Sequence, residues 1–243
     1  MESSTGTVVP ARNSDRVLVI MAKAPRLGAV KTRLTPSLPL QAVTAFYGCL
    51  LGDTLALASS LAGVEIAIMC PDSDVNELAR LAGDGASVVA QKGEGLTAGL
   101  TSVFAHFAVG HQRRVIAFNS DSPHLPHSIL EEAFEALAAH DVVVGPTFDG
   151  GYYLVGAKAS YPTLFASGGM GTSAALERLL SRAQFLELSV GFTDSFYDID
   201  EADDLIRLAA ELQRAPDRAP QTAAWLRQWG DAETQLRTGL GDL

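Results

Sequence analysis

"RVLVIMAKAPRLGAVKTRL", residues 16–34, joins an unbroken apolar run to a basic loop. The run VLVIMA, residues 17–22, has no polar member, which is the pattern of a strand buried on both faces of a sheet. Residues 22–34 then carry Lys23, Arg26, Lys31 and Arg33, with Pro25 and Gly28 between them. The chain of 243 residues holds 18 Lys plus Arg against 28 Asp plus Glu, a formal net charge of −10. That balance speaks against a general affinity for nucleic acid or an anionic membrane, so an anionic ligand needs a local basic pocket. Lys31 and Arg33 flank Thr32, so in extended chain both point to one side and can grip a polyphosphate together. Gly28 lets the main chain approach a phosphate because no Cβ intervenes. A solvated cationic turn explains the same residues. Neither the GxxxxGK[ST] loop nor the GxGxxG fingerprint is present.

Outward from this stretch, apolar runs alternate with helix-period segments. Strands are expected at 17–22, 64–70, 87–91, 114–120, 141–145, 151–157 and 185–190. Helices are expected from the Pro-flanked turn at 36–39 to about Leu61, then at 74–81, 96–109, 128–139, 173–183 and 201–213. This alternation predicts an α/β domain with a mainly parallel sheet covered on both faces, whose ligands sit beyond the carboxyl ends of the strands. Residues 1–15 read as a disordered tail, 16–214 as the domain, and 215–243 as a linker, APDRAPQ, followed by a helix. Trp225 and Trp229 lie four apart on one face of that helix, which suits core packing or a homodimer contact. Cys49 and Cys70 read as buried thiols of a reducing cytoplasm. No signal peptide is apparent, and no apolar run approaches the roughly 20 residues that span a bilayer, so no membrane partner is expected.

Two acidic stretches complement the basic loop. Asp121 closes the strand at 114–120 within AFNSDSPHLP, where strand ends present ligands. One carboxylate there suits a hard cation such as Mg²⁺, which keeps waters and takes substrate phosphates for its other places. A helix N-cap or turn is the plain alternative. In FYDIDEADDL, 196–205, Asp198 and Asp200 alternate and share one side of an extended chain. Glu201, Asp203 and Asp204 sit where a helix N-terminus favours negative charge. One basic loop and two distant acidic sites are the composition of a metal-assisted phosphate centre.

Two glycine-bearing turns are weaker signals. Asp149-Gly150-Gly151 in GPTFDGGYYLVG is a plain hairpin turn, or a place where an acceptor approaches with Asp149 as hydrogen-bond acceptor or base. QKGEGLTAGL, 91–100, either shapes a base pocket with Gln91, Gly95 and Leu96 or is a loop and cap. His106, His111, His124, His127 and His140 show no metal spacing, and His124 and His127 read as surface residues. No Gly-x-Ser-x-Gly elbow supports a hydrolase triad.

The ordered motifs MAKAPRLGAVKTRL, NSDSPHL, VVGPTFDGGYYLVG and YDIDEADDL resemble the DUF2064 family of glycosyltransferase-A-like proteins, over roughly residues 16 to 212. That family is related to 2-phospho-L-lactate and molybdenum cofactor guanylyltransferases. The resemblance implies a Rossmann-like three-layer α/β/α nucleotide-diphospho-sugar transferase (GT-A) fold. It implies that Lys23, Lys31 and Arg33 wrap a triphosphate, and that Asp121 and Asp200, with Asp198 beside them, hold Mg²⁺ or Mn²⁺. GEGLTAGL is similar to the GPLAG loop near guanine in the molybdenum cofactor enzyme, and departs from the usual Leu-Gly-Glu-Arg-Met-like run of DUF2064. GGMGTS, 168–173, lacks the family's Trp before Ser-Thr, and DSP is not the Asp-x-Asp of many sugar transferases. The expectation is a Mg-dependent transferase with a nucleoside triphosphate or nucleotide-sugar donor and a small-molecule acceptor, nucleotidyl transfer being favoured over glycosyl transfer. A non-catalytic nucleotide-binding or scaffold protein is the rival.

Overall fold

A computed structural model describes residues 14–108, 113–166 and 168–239. Most of the expected tail, His111 and the last residues of the 215–243 segment lie outside the described residues. Strand and helix alternate as β1 (Arg16–Met21), α1 (Leu40–Ser59), β2 (Glu65–Cys70), α2 (Val75–Ala82), β3 (Ser87–Ala90), α3 (Gly95–Phe107) and β4 (Arg114–Asn119). They continue as α4 (His127–Ala139), β5 (Val142–Pro146), β6 (Tyr152–Ala157), α5 (Ala175–Phe185), β7 (Val190–Phe192), α6 (Ala202–Arg214) and α7 (Pro220–Gly239).

The strands form one sheet in the order β3-β2-β1-β4-β6-β5-β7. Only β6, paired with β4 and β5, runs antiparallel to its neighbours. Val17, Leu18, Val19 and Ile20 are each fully buried, because helices cover both faces. Leu18 and Ile20 pack with residues of α1, α2 and α4, while Val17 and Val19 pack with residues of α3 and α5. A third apolar cluster lies under the loop after β1, where Val30, Leu34 and Leu38 meet α1, α6 and α7. The architecture is therefore the expected three-layer α/β/α sandwich.

Strand order sets the position of the loops. From β1 the chain winds outward to β2 and β3, then returns across β1 to place β4 on its other side, with Met21 paired to Asn119. The loops leaving β1 and β4 thus start side by side at the point where the winding reverses, and a crevice opens between them.

Four expectations need correction. The strand placed at 185–190 is instead the end of α5, a turn, and a three-residue strand beginning at Val190. Leu186, Leu188 and Val190 alternate as a strand would, but Glu187 adopts φ 55° and reverses the chain there. α1 does reach the length and apolarity of a membrane span, with a mean hydropathy of 1.3, although half of that window is buried within this fold. Cys70 is buried, but Cys49 is only partly so. The stretch 215–221 is linker-like in composition, yet it holds a single 3-10 turn, Pro216–Arg218, and runs directly into α7. Ala219 and Thr222 are fully buried, and Trp225 packs 4.9 Å from Phe46 and stacks on Trp229.

Candidate functional site

The crevice is a cleft of about 870 Å³, lined by the loops after β1, β2, β3 and β4 together with Asp200. Its basic wall comes from the β1 loop. Lys31 does not lie in extended chain as its spacing with Arg33 implied: it has φ 47°, ψ 42° and precedes a 3-10 turn, Thr32–Leu34. That turn buries Leu34 in the third cluster and still brings both cations to one acid. Lys31 Nζ donates to Asp200 Oδ1 at 2.8 Å and Arg33 Nη1 to Asp200 Oδ2 at 3.3 Å. Lys31 also lies 3.0 Å from Asp121 Oδ1, with its side chain only 5% exposed.

Asp200 reaches this point because its loop is stitched across the end of β4. The Ile199 N–H donates to the Asp121 carbonyl at 3.1 Å, and Ser122 Oγ donates to the Tyr197 carbonyl at 3.1 Å. Ile199 is fully buried and anchors the segment from below. Glu201 and Asp204 form a capping box that starts α6, the helix-opening role expected of acids at those positions.

The electrostatics follow from this geometry. Burial alone would lower the pKa of Lys31, but Asp121 and then Asp200 outweigh it and hold the ammonium well above its ordinary value. Burial would raise the pKa of Asp200, yet Lys31, and then Arg33, bring it below the usual carboxylate range. Asp198 is pushed up to about 6, first by burial and then by the charge of Asp200. It lines a smaller cavity of about 270 Å³ with Asp149, Phe148 and Arg207, which joins the main cleft at Arg33 and Asp200. Among the described residues no three His, Cys, Asp or Glu side chains converge closely enough to cage an ion, and Asp198 lines the smaller cavity, not the main cleft that Asp121 and Asp200 line.

The remaining residues singled out in the sequence divide between cleft and scaffold. Lys23, Gln91, Gly95 and Leu96 line the cleft, while Pro25 and Gly28 do not. Gly93 and Gly95 have φ of 84° and 79°, the left-handed region that favours glycine, and turn the β3 loop into α3. Gln91 Nε2 holds that loop through the Gly93 carbonyl at 2.8 Å. Gly99 lets α3 come close: a Cβ there would lie 2.7 Å from Met21 Cε and 2.8 Å from Gln91 Oε1. Arg26 is spent elsewhere, pairing with Asp74 at 2.6 Å and Glu77 at 2.9 Å. Asp149 caps its own turn, accepting from Thr147 Oγ1 at 2.5 Å and from the Gly151 N–H at 3.1 Å.

His124 is not a surface residue. It is fully buried between Phe196 and Tyr197, and neither ring nitrogen has a hydrogen-bond partner among the described residues. The apolar 3.6-residue spacing that would have marked it is absent, because it sits in a loop that the 194–200 segment covers.

Three contributors to the site were not among the residues singled out in the sequence. Tyr47, inside α1, accepts the Lys23 backbone N–H at 3.2 Å and pairs with Ser120 Oγ at 3.1 Å, tying the β1 and β4 loops together. Burial, and then the nearby Asp121, push its phenol up to about 12. Asp74 accepts the Ala24 N–H at 2.9 Å and fixes the start of the basic loop. Ser120 is the one of the three that a reader could have found, as a polar residue beside Asp121 at a strand end.

The donor set suits a hard cation. Oδ1 of Asp121 and Oδ1 of Asp200 converge on one point, which the Lys31 ammonium fills. Mg²⁺ or Mn²⁺ takes one or two protein carboxylates and completes its shell with water and phosphate oxygens.

Fold and cleft together define a transferase-like α/β domain of the nucleotide-diphospho-sugar transferase type. The resemblance to DUF2064 is shown by its family model, described as "Uncharacterized protein conserved in bacteria", which matches residues 54–172. The matched span includes Asp121 and Asp149 but neither the basic loop nor Asp200. The chain is similar to a candidate nucleotide-diphospho-sugar transferase of Desulfovibrio desulfuricans G20, 27% identical, covering 90% of this chain and 96% of that one with a TM-score of 0.81. The chain is also similar in fold to CMP:2-keto-3-deoxy-manno-octonic acid synthetase complexed with CTP, at 14% identity, 82% and 99% coverage and a TM-score of 0.53. Rv0371c of Mycobacterium tuberculosis H37Rv, in complex with manganese, is 20% identical with 80% and 97% coverage and a TM-score of 0.50. No curated protein matches the sequence.

Proposed function

We propose that this protein is a metal-assisted nucleotidyltransferase, which transfers a nucleotidyl group from a nucleoside triphosphate to a small anionic acceptor. The observation that carries the reading is the meeting of Lys31 with Asp121 and Asp200 in the wall of a nucleotide-sized cleft. Lys23, Lys31 and Arg33 line that cleft and would bind the triphosphate and stabilise charge on departing pyrophosphate, as Arg and Lys clamps do in phosphoryl transfer. The glycine turn at 93–95, with Gln91 and Leu96, would form the wall for the base. Asp121 and Asp200 would hold Mg²⁺ or Mn²⁺, which supplies charge neutralisation at the phosphates. An ionised phosphate acceptor needs no strong general base, which accords with the turn-capping role of Asp149. The CTP and manganese complexes of proteins similar in fold support the donor class and the metal.

A second reading is glycosyl transfer from a nucleotide-sugar, favoured by the likeness to the Desulfovibrio protein. The cavity beside Asp200 would then hold the acceptor hydroxyl, within reach of Asp198 and Asp149. A cytoplasmic setting belongs to both readings, supported by the free thiols of Cys49 and Cys70.

Incubation with a panel of nucleotides and nucleotide-sugars, read by mass spectrometry, separates them. Pyrophosphate release supports nucleotidyl transfer, and nucleoside diphosphate release supports glycosyl transfer. Melting curves that no nucleotide shifts, with or without Mg²⁺, would overturn both.

A further inference from the structure

Lys31 places a cation on the oxygens that the proposed metal needs. Its Nζ lies 3.0 Å from Asp121 Oδ1 and 2.8 Å from Asp200 Oδ1, nearly sealed from solvent. Mg²⁺ binds carboxylate oxygens at ~2.0–2.1 Å. An ion on these two oxygens would therefore crowd the ammonium, and two like charges would compete for the same lone pairs. Occupancy by one excludes the other.

We propose that Lys31 is a resident stand-in for the divalent cation, exchanged onto the donor's phosphates when metal and nucleotide bind together. The inference rests on the metal reading above and adds a coupling to it. A buried ammonium stripped of its counter-charge is strongly unfavourable. Metal alone therefore displaces Lys31 poorly, because nothing receives it. A polyphosphate in the cleft that Lys31 lines with Lys23 and Arg33 supplies the missing anion.

The backbone is built for such an exchange. Lys31 and Glu187 are the two non-glycine residues at positive φ among the described residues. A side chain held in that region marks a conformation kept by its surroundings rather than by local preference. The segment before it, from Pro25 to Val30, has no helix or strand, and backbone turns at Arg26 and Ala29 tie it to itself. Arg26 is held by Asp74 and Glu77 and Val30 is buried, so a rotation at Lys31 would be taken up by the exposed residues 27–29 between them, while Leu34, fully buried, keeps the following turn in place. In the ligand-free protein Lys31 keeps Asp121 and Asp200 from facing each other unneutralised, which explains why a phosphate-binding lysine sits on carboxylates.

Electron paramagnetic resonance titration of Mn²⁺ into nucleotide-free protein tests this without turnover. Lys31→Met keeps the length and removes the charge, and should bind Mn²⁺ more tightly than wild type, on the order of tenfold. Adding Asp121→Asn to Lys31→Met should abolish that gain. In wild type, Mg²⁺ and inorganic pyrophosphate added together should raise the melting temperature by more than the sum of their separate shifts. The proposal is overturned if folded Lys31→Met binds Mn²⁺ no more tightly than wild type. If that variant does not fold, strictly additive shifts in the wild type overturn it instead. A Mn²⁺ gain in Lys31→Met, with a wild type that Mg²⁺-pyrophosphate shifts but no nucleotide does, would sink the proposed function and leave the exchange onto phosphate standing; nucleotide binding by wild type without the gain would do the reverse.

Discussion

Lys31 and Asp200, 169 residues apart in the chain, meet at 2.8 Å and close the basic and acidic halves of the cleft onto each other. The contact depends on strand order, since β1 and β4 must be neighbours before the loop from β7 can cross between them. Removing the ammonium should weaken nucleoside triphosphate binding by about 1.5–3 kcal/mol, the usual worth of a hydrogen bond to a charged group. Isothermal titration of Lys31→Met with metal-free nucleoside triphosphate measures it apart from the gain in metal affinity, and an unchanged affinity there would refute the role given to the loop.

His124 makes stability depend on pH. Burial, with Arg218 and Arg207 adding to it, lowers its pKa from 6.5 to about 3. The folded state therefore favours the neutral ring. The stability that this contributes is fully present above pH 6.5 and is lost as pH falls from there toward 3, at up to about 1.4 kcal/mol per pH unit. Urea unfolding at pH 7 and pH 5 should show a smaller drop for His124→Leu than for wild type. Equal drops would mean that the buried ring titrates normally.

Asp53, 2% exposed within α1, accepts the backbone N–H groups of Gln221 and Thr222 at 3.1 and 2.8 Å and so caps α7 from a neighbouring helix. Asp53→Ala leaves both donors unpaired and should cost about 2 kcal/mol. Tryptophan emission reports the local effect, because the chain's 2 Trp residues both lie in α7. A variant with unshifted emission and unchanged denaturation midpoint would show the cap to be dispensable.

Gly150 has φ 90°, and a Cβ there would lie 2.1 Å from the Ser173 carbonyl oxygen. Gly150→Ala combines left-handed strain with a backbone clash, so it should cost about 2–4 kcal/mol. Gly63 has φ 67° but open space around it, so Gly63→Ala should cost only about 1 kcal/mol. Denaturation midpoints of the pair decide whether contact or backbone conformation dominates, and equal losses would rule out the clash.

Much of this was legible in the sequence because the central strands are buried on both faces. Their uninterrupted apolar runs located six of the seven, and only β7 was misplaced, where alternating leucines flank a reversed Glu187. Lys31, Asp121 and Asp200 stood out because charge at the end of an apolar run is unusual. Tyr47 and Asp74 could not be read, since their partners are backbone amides of Lys23 and Ala24 brought near only by the fold. The burial of His124 was hidden for the same reason: what covers it comes from Phe196 and Tyr197, distant in the chain.

The most direct test compares Mg²⁺-nucleoside triphosphate binding to wild type and to Asp121→Asn by isothermal titration. The asparagine should cost about 1.5–3 kcal/mol, roughly 10- to 150-fold in affinity, and only when Mg²⁺ is present. An Asp121→Asn protein that binds the metal–nucleotide as tightly as wild type would contradict the site proposed here.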